Sequence, residues 1–118
     1  MELEPTQKAE LISQAAEDRR ALDIIVMDMR PVTTICDYFI ICHGRSPQHL
    51  QAISEEIQKQ MREHDIPPSH VEGSRQGGWI LMDYLHVVVH IFTEESRRMY
   101  DLQRLWPDAE VISGHYDG

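Results

Sequence analysis

Cysteine is scarce in this chain of 118 residues: Cys36 and Cys42 are the only two, six positions apart. That spacing is neither a C-x-x-C redox motif nor a zinc-ligand pair, and two cysteines make no disulfide framework. Both flank or lie within an apolar run, as small buried thiols of a reducing compartment do. No window approaches the ~18 uninterrupted apolar residues of a membrane span. The opening Met1-Glu2-Leu3-Glu4 is acidic and polar, so it reads as neither a secretory signal nor an Arg-rich transit peptide. Internal repeats, low-complexity stretches and linkers are also missing. Basic residues are in the minority, with 11 Lys and Arg against 20 Asp and Glu, a net charge of −9. Phosphate polymers repel such an anion unless it carries a strong local basic patch, which disfavours a generic nucleic-acid binder.

What is present suits one domain. Apolar residues make up 42% and charged residues 26%, enough for a core under an ordinary surface. The stretch from Thr6 to Arg20 predicts a helix with Ala9, Ile12, Ala15 and Ala16 on its buried face. Asp23 to Met29 is β-branched and nearly all apolar, a buried strand ended by Arg30-Pro31. Tyr38 to His43 is a second strand, closed by Gly44. Ser46-Pro47 is a helix start, a hydroxyl cap followed by proline at the first position. Leu50, Ile53, Ile57 and Met61 then form one apolar stripe, stopped by Ile66-Pro67-Pro68.

Val71 to Gly78 reads as a glycine-rich polar loop. It leads into Trp79 to Tyr84 and, two residues later, Val87 to Phe92, a separation that permits only an antiparallel hairpin. Leu85-His86 is a poor hairpin turn, since neither residue takes positive φ easily. Glu94 to Leu105 predicts a third helix with Met99, Leu102 and Leu105 at a spacing of three, and Val111-Ile112 a last short strand. Strands apolar on both faces need cover on both sides. The fold class is therefore α/β: a single domain with a mixed central β-sheet, an antiparallel hairpin and flanking helices, its core spanning about residues 6–112.

Seven histidines raise the question of a metal. His86 and His90, four apart on one strand, would share a face but stand about 13 Å apart, too far for one zinc. The Gly44-Arg45-Ser46-Pro47 turn could accept a phosphate at a helix start, yet it is shorter than a Walker loop and lacks the G-x-G-x-x-G glycines. A nucleotidyltransferase needs paired carboxylates on a strand to hold magnesium, whereas Asp28 and Asp83 are single. No G-x-S-x-G is present, and Cys42 sits mid-strand where attack would be blocked. The residues argue against an enzyme and imply no cofactor. On the hairpin, Trp79, Leu81 and Asp83 alternate onto one face and Ile80, Met82 and Tyr84 onto the other. An aromatic row with an acidic neighbour suits a basic protein partner, but burial of Trp79 under a helix fits the pattern equally well.

Three stretches together resemble one family. They are Asp37-Tyr38-Phe39-Ile40-Ile41-Cys42-His43-Gly44-Arg45-Ser46, then Gly78-Trp79-Ile80-Leu81-Met82-Asp83-Tyr84 with Val87-Val88-Val89-His90-Ile91-Phe92, then Arg97-Arg98-Met99-Tyr100-Asp101-Leu102-Gln103-Arg104-Leu105-Trp106. In combination they are similar to the ribosomal silencing factor, or Iojap-like, family over about residues 9–112. The resemblance implies a nucleotidyltransferase-like fold that has lost its catalytic acids. It also implies binding to the fourteenth protein of the large (50S) ribosomal subunit, which would block joining of the small subunit and repress translation when nutrients are scarce.

By the same resemblance the partner-binding residues are Trp79, Leu81 and Asp83, with Glu72 as a further acidic contact. Tyr84 is a candidate from the same hairpin, and Tyr100 and Leu105 from the C-terminal motif. A cytoplasmic protein is expected, with a homodimer as a further possibility and neither membrane nor sequence-specific nucleic acid as partner. Two departures stand out: Leu85-His86 where the family often has Gly-Asp, and Gln103 where it commonly has Glu. The competing enzyme reading has a nucleotide at Gly44–Ser46 and a metal on Asp28.

Overall fold

The computed structural model describes residues 3–116. Helix α1 (Pro5–Asp18) starts where Pro5 fills the first helical position and the Gln7 side chain accepts the backbone N–H of Glu4 at 2.8 Å. Strands β1 (Leu22–Asp28) and β2 (Tyr38–Gly44) follow, then helix α2 (Pro47–Arg62). The hydroxyl of Ser46 accepts the His49 N–H at 3.1 Å, so Ser46 is the expected N-cap. Strands β3 (His70–Ser74), β4 (Trp79–Asp83) and β5 (Val87–Thr93) complete the middle of the chain. Short helices α3 (Glu94–Tyr100) and α4 (Leu102–Leu105) and strand β6 (Glu110–Ser113) end it.

The six strands form one mixed sheet in the order β3-β4-β5-β2-β1-β6. Only the central β2–β5 pair is parallel; the other four pairings are antiparallel. One face is covered by the two long helices. Ala9, Ile12, Ala15 and Ala16 of α1 and Leu50, Ile53, Ile57 and Met61 of α2 pack there on Val26, Ile40, Cys42, Met82, Val89 and Ile91. The opposite face holds Ile25, Met27, Ile41 and Phe92 under Leu102, Trp106 and Tyr116.

Three expectations need correction. Residues 70–74 are a strand rather than a loop, paired in register with β4. All five are exposed at the sheet edge, so no buried alternation marks them in the sequence. Gly73 adopts φ +82°, and a β-carbon there would meet the Trp79 carbonyl. The C-terminal helix is broken at Asp101, whose φ of 45° is left-handed, a conformation Asp tolerates better than most residues. The break leaves Leu102 buried but Met99 and Leu105 exposed. His86 belongs to the turn and not to β5, so it does not share a strand face with His90.

The unpromising Leu85-His86 turn is nonetheless tight. Leu85 takes φ +71°, and the strand ends are joined by the Tyr84 N–H donating to the Val87 carbonyl at 2.8 Å. The Leu85 N–H donates to the Asp83 carboxylate at 2.7 Å, and the His86 carbonyl accepts from Asp37 and Tyr38. These bonds hold a conformation that costs a non-glycine residue on the order of 1–2 kcal/mol.

Ile57 is fully buried between helix and sheet, whereas Ile35 is 86% exposed. Truncating Ile57 to Ala should therefore cost about 2–5 kcal/mol and Ile35→Ala no more than about 0.5 kcal/mol. Urea midpoints of the two variants check this contrast.

Candidate functional site

Strand register assembles the candidate residues on the less covered face. Ser74, Trp79, Phe92 and His43 form one cross-strand row. Glu72, Leu81, His90 and Ile41 form the next, and His70, Asp83, Val88 and Phe39 the third. Trp79, Leu81 and Asp83 are partly exposed and Glu72 is exposed, because α3 and α4 reach over this face only in part. Glu72, Gly73, Trp79 and Leu81 line an open depression of about 230 Å³.

The indole of Trp79 is held from three sides. Its ring centroid lies 5.0 Å from that of Phe92, 4.7 Å from Tyr100 and 5.8 Å from His90. Its Nε1–H donates to His90 Nδ1 at 3.2 Å. Indole nitrogen only donates, so Nδ1 is bare and the imidazole proton sits on Nε2. Burial pulls the His90 pKa down to about 4, which keeps the ring neutral as this bond requires. Phe39 packs edge-on against His90 at 4.6 Å and against Trp106 at 5.1 Å, extending the aromatic cluster toward the C-terminus. A preorganised indole is the kind of anchor that interfaces use, since little side-chain entropy remains to be lost.

The acids at the rim differ in role. One Asp83 oxygen accepts the Leu85 N–H, so this carboxylate supports the turn as well as facing outward. Among the described residues Glu72 is tied only to the exposed His70, with Nε2 3.3 Å from Oε1, a contact worth little in water.

Tyr84 requires correction as a partner contact. It lies on the opposite face with Ile80 and Met82 and is 1% exposed. Burial pushes its phenol up to about 12, and the side chain is core. Tyr100 does join the site, 45% exposed against Trp79. Leu105 is exposed on α4, but no ring or hydrogen-bond contact ties it to the Trp79 cluster. Sequence reasoning missed His90 and Phe92 as the supports of Trp79, and Phe39 behind His90. Only the β4–β5 and β5–β2 registers, which pattern alone leaves undefined, bring them beside it.

It also missed Arg97, which is 2% exposed. One guanidinium nitrogen lies 2.9 Å from His43 Nδ1 and donates to the Leu22 carbonyl at 3.3 Å. The guanidinium carbon sits 3.6 Å from the centroid of the Tyr116 ring. This clamp fastens α3, and with it Tyr100, to the sheet. Burial, reinforced by the Arg97 charge, lowers the pKa of His43, so this ring too is neutral and accepts at Nδ1.

The residues of the enzyme reading are engaged otherwise. Asp28 accepts both Arg30 Nε at 2.9 Å and a terminal guanidinium nitrogen at 2.8 Å, which lowers its pKa. At the α2 start, His49 Nδ1 accepts the Arg45 N–H at 2.9 Å and Ser46 takes that of His49. Two of the donors that a phosphate would use are therefore occupied by the chain itself. Cys42 is fully buried and its thiol is pushed up to about 12, so it is a packing residue rather than a nucleophile.

A small mixed α/β domain with an anchored tryptophan in an acid-rimmed sheet face has the surface of a binding module. The chain belongs to the ribosomal silencing factor family: residues 2–117 match the family model described as "Ribosomal silencing factor during starvation". It is 41% identical over 101 residues to ribosomal silencing factor RsfS of Bacillus subtilis (strain 168), covering 86% of each chain. A crystal structure of a Chromobacterium violaceum protein superposes with a TM-score of 0.85 at 28% identity, covering 98% of this chain and 95% of that one. A mouse protein named for mitochondrial assembly of the large ribosomal subunit is 28% identical over 100 residues, 82% of this chain and 44% of its own length. The family's name denotes a regulatory role and not a catalytic one.

The depressed histidines make stability depend on pH. His90 titrates near 6.5 when unfolded and about 4 when folded, so the unfolded chain binds the proton first as pH falls. The contribution of neutral His90 is complete above about pH 6.5 and is lost toward pH 4, about 3 kcal/mol in all. His43 adds in the same direction. Urea denaturation across that range should show the decline, with a shallower slope in His90→Gln.

Proposed function

We propose that the chain docks through Trp79, Leu81, Glu72 and Asp83 onto a basic surface of the large ribosomal subunit, that of its fourteenth protein. Bound there, it blocks joining of the small subunit and represses translation under nutrient limitation. One observation carries the reading. In a family of ribosomal silencing factors, a half-covered sheet face presents a rigid indole, a leucine and two carboxylates.

The chemistry supports a protein target. A net charge of −9 is repelled by rRNA phosphate, while a basic protein patch attracts it and speeds encounter. Trp79 supplies apolar area at low entropic cost, and Glu72, exposed beside it, meets a lysine or arginine. Tyr100 extends the aromatic surface. No chemical step is required, because occupancy alone withdraws the subunit from the joining equilibrium. The named role of the mouse relative in assembling a large ribosomal subunit points to the same class of partner. A bacterial protein acting on ribosomes would work in the cytoplasm, as its similarity to the Bacillus subtilis factor supports.

Sedimentation with purified 50S subunits tests the reading. The intact chain should co-sediment and reduce 70S formation on adding 30S subunits. Trp79→Ala should weaken binding about 30-fold, the loss expected of an interface anchor worth about 2 kcal/mol. Because Trp79 also packs against Phe92 and Asp83 supports its turn, Leu81→Arg with Glu72→Arg is the decisive variant. It should lose binding with circular dichroism unchanged; undiminished co-sedimentation of this double variant would sink the proposal.

A further inference from the structure

The opposite end of the sheet carries a second surface, on the other face. Thr6, Ala9, Glu10, Gln14 and Glu17 of α1 form one wall of a groove of about 400 Å³, with Ile112 and Ser113 of β6 as the other. Its floor is Val26 and Tyr38. The groove exists because α1 packs toward β1 and β2 and does not reach over β6.

β6 is the last strand of the sheet, so its outer edge has no strand partner among the described residues. Natural edges are blunted by shortness, bulges, charged side chains, proline or a covering element; β6 is short and bulged but carries neither lysine nor proline. Here Glu110-Val111-Ile112-Ser113 offers two β-branched apolar residues, 36% and 48% exposed. The ladder to β1 slips between the Val26–Ser113 and Met27–Val111 pairs, a bulge that sets Ile112 in the groove wall. The groove's acids, Glu10 and Glu17, make no ion pair among the described residues, and neither does Glu110 at the start of β6. Arg30, whose guanidinium lies 5.5 Å from the Tyr38 ring, is already held by Asp28.

We propose that this groove is a second docking surface, taking an extended polypeptide segment that bears lysine or arginine and adds as a seventh strand beside β6. Main-chain hydrogen bonds to the open edge supply affinity. Side chains alternate along the added strand: the basic ones face the helical side, where their stems cross Ile112 and their charged heads reach Glu10 and Glu17, and the apolar ones pack beside Val111 on the other face. A second copy of the chain fits poorly, since twofold pairing of β6 edges brings these glutamates toward their own copies in a protein of net charge −9. The surface is independent of the Trp79 face. From β4 to β6 are four strand spacings, about 19 Å, and the two surfaces lie on opposite faces of the sheet. One chain can therefore hold a partner at each end.

The test is amide hydrogen exchange on the full chain, titrated with two synthetic octapeptides, one alternating Val with Lys and one alternating Val with Glu. The Val-Lys peptide should slow exchange of the 110–113 amides at least tenfold and leave those of Glu72 and Leu81 unchanged. Glu10→Lys with Glu17→Lys, both on the exposed side of α1, should weaken that binding at least fivefold while co-sedimentation with 50S subunits persists. Leu81→Arg with Glu72→Arg should still bind the peptide, which separates this surface from the ribosomal one. Absence of protection, or equal protection by the Val-Glu peptide, overturns the proposal. So does protection that rises with chain concentration alone, which would assign the edge to a second copy.

Discussion

A sheet that is apolar on both faces, served by only two long helices, cannot be covered evenly. Both helices pack on one side, where α1 and α2 bury a continuous layer of Ile, Leu, Met and Val. The other side is left to short pieces, the seven-residue α3, the four-residue α4 and the segment that carries Tyr116. Those pieces lie over β1, β2 and β5 and reach β4 only at Trp79, where Tyr100 packs, so Leu81 and β3 stay open. The exposed Trp79–Leu81 surface is a consequence of that shortage, and so is the groove beside β6 on the helical side. Each lies where the covering elements run out.

Holding short elements in place takes more than apolar contact. Arg97 shows how it is done here. A buried cation is costly, and this one is offset in part: one guanidinium nitrogen serves both the β1 backbone and the His43 ring, the plane stacks on Tyr116, and the second terminal nitrogen has no hydrogen-bond partner among the described residues. The reach links residues 75 and 54 positions apart in the chain. Neutral His43 is part of the arrangement, since a protonated ring would set two cations 2.9 Å apart. The same logic recurs at His90, whose bare Nδ1 fixes the indole of Trp79. Two buried histidines, both kept neutral, thus organise the face from below.

Much of the fold was legible because helices announce themselves locally. The stripe Leu50, Ile53, Ile57 and Met61 is buried to the last residue, and Ser46-Pro47 opens its helix as a cap and first turn should. The Trp79–Phe92 hairpin was legible from two apolar runs two residues apart, even across the unlikely Leu85-His86 turn. Strand β3 was not, because an exposed edge strand has no buried face to impose alternation. The break at Asp101 escaped notice because Met99, Leu102 and Leu105 keep a helical spacing that the backbone does not follow. Tyr84 was misplaced for a related reason. A hairpin with large side chains on both faces does not say which of them meets the core.

Local pattern was enough to specify one acidic α/β domain, its two long helices, its hairpin and the alternation that puts Trp79, Leu81 and Asp83 on a common face. Each of these depends on residues within a few positions of one another, where periodicity and capping act. Long-range packing made this face the open one and set His90 and Phe92 to brace the indole. It also decided that Tyr84 is core, that Arg97 clamps α3 and that β6 leaves an acid-rimmed edge. Those outcomes turn on which strands become neighbours and how far the helices reach over them. Such choices follow from burying the most apolar area at once, a property of the whole chain and of no single stretch.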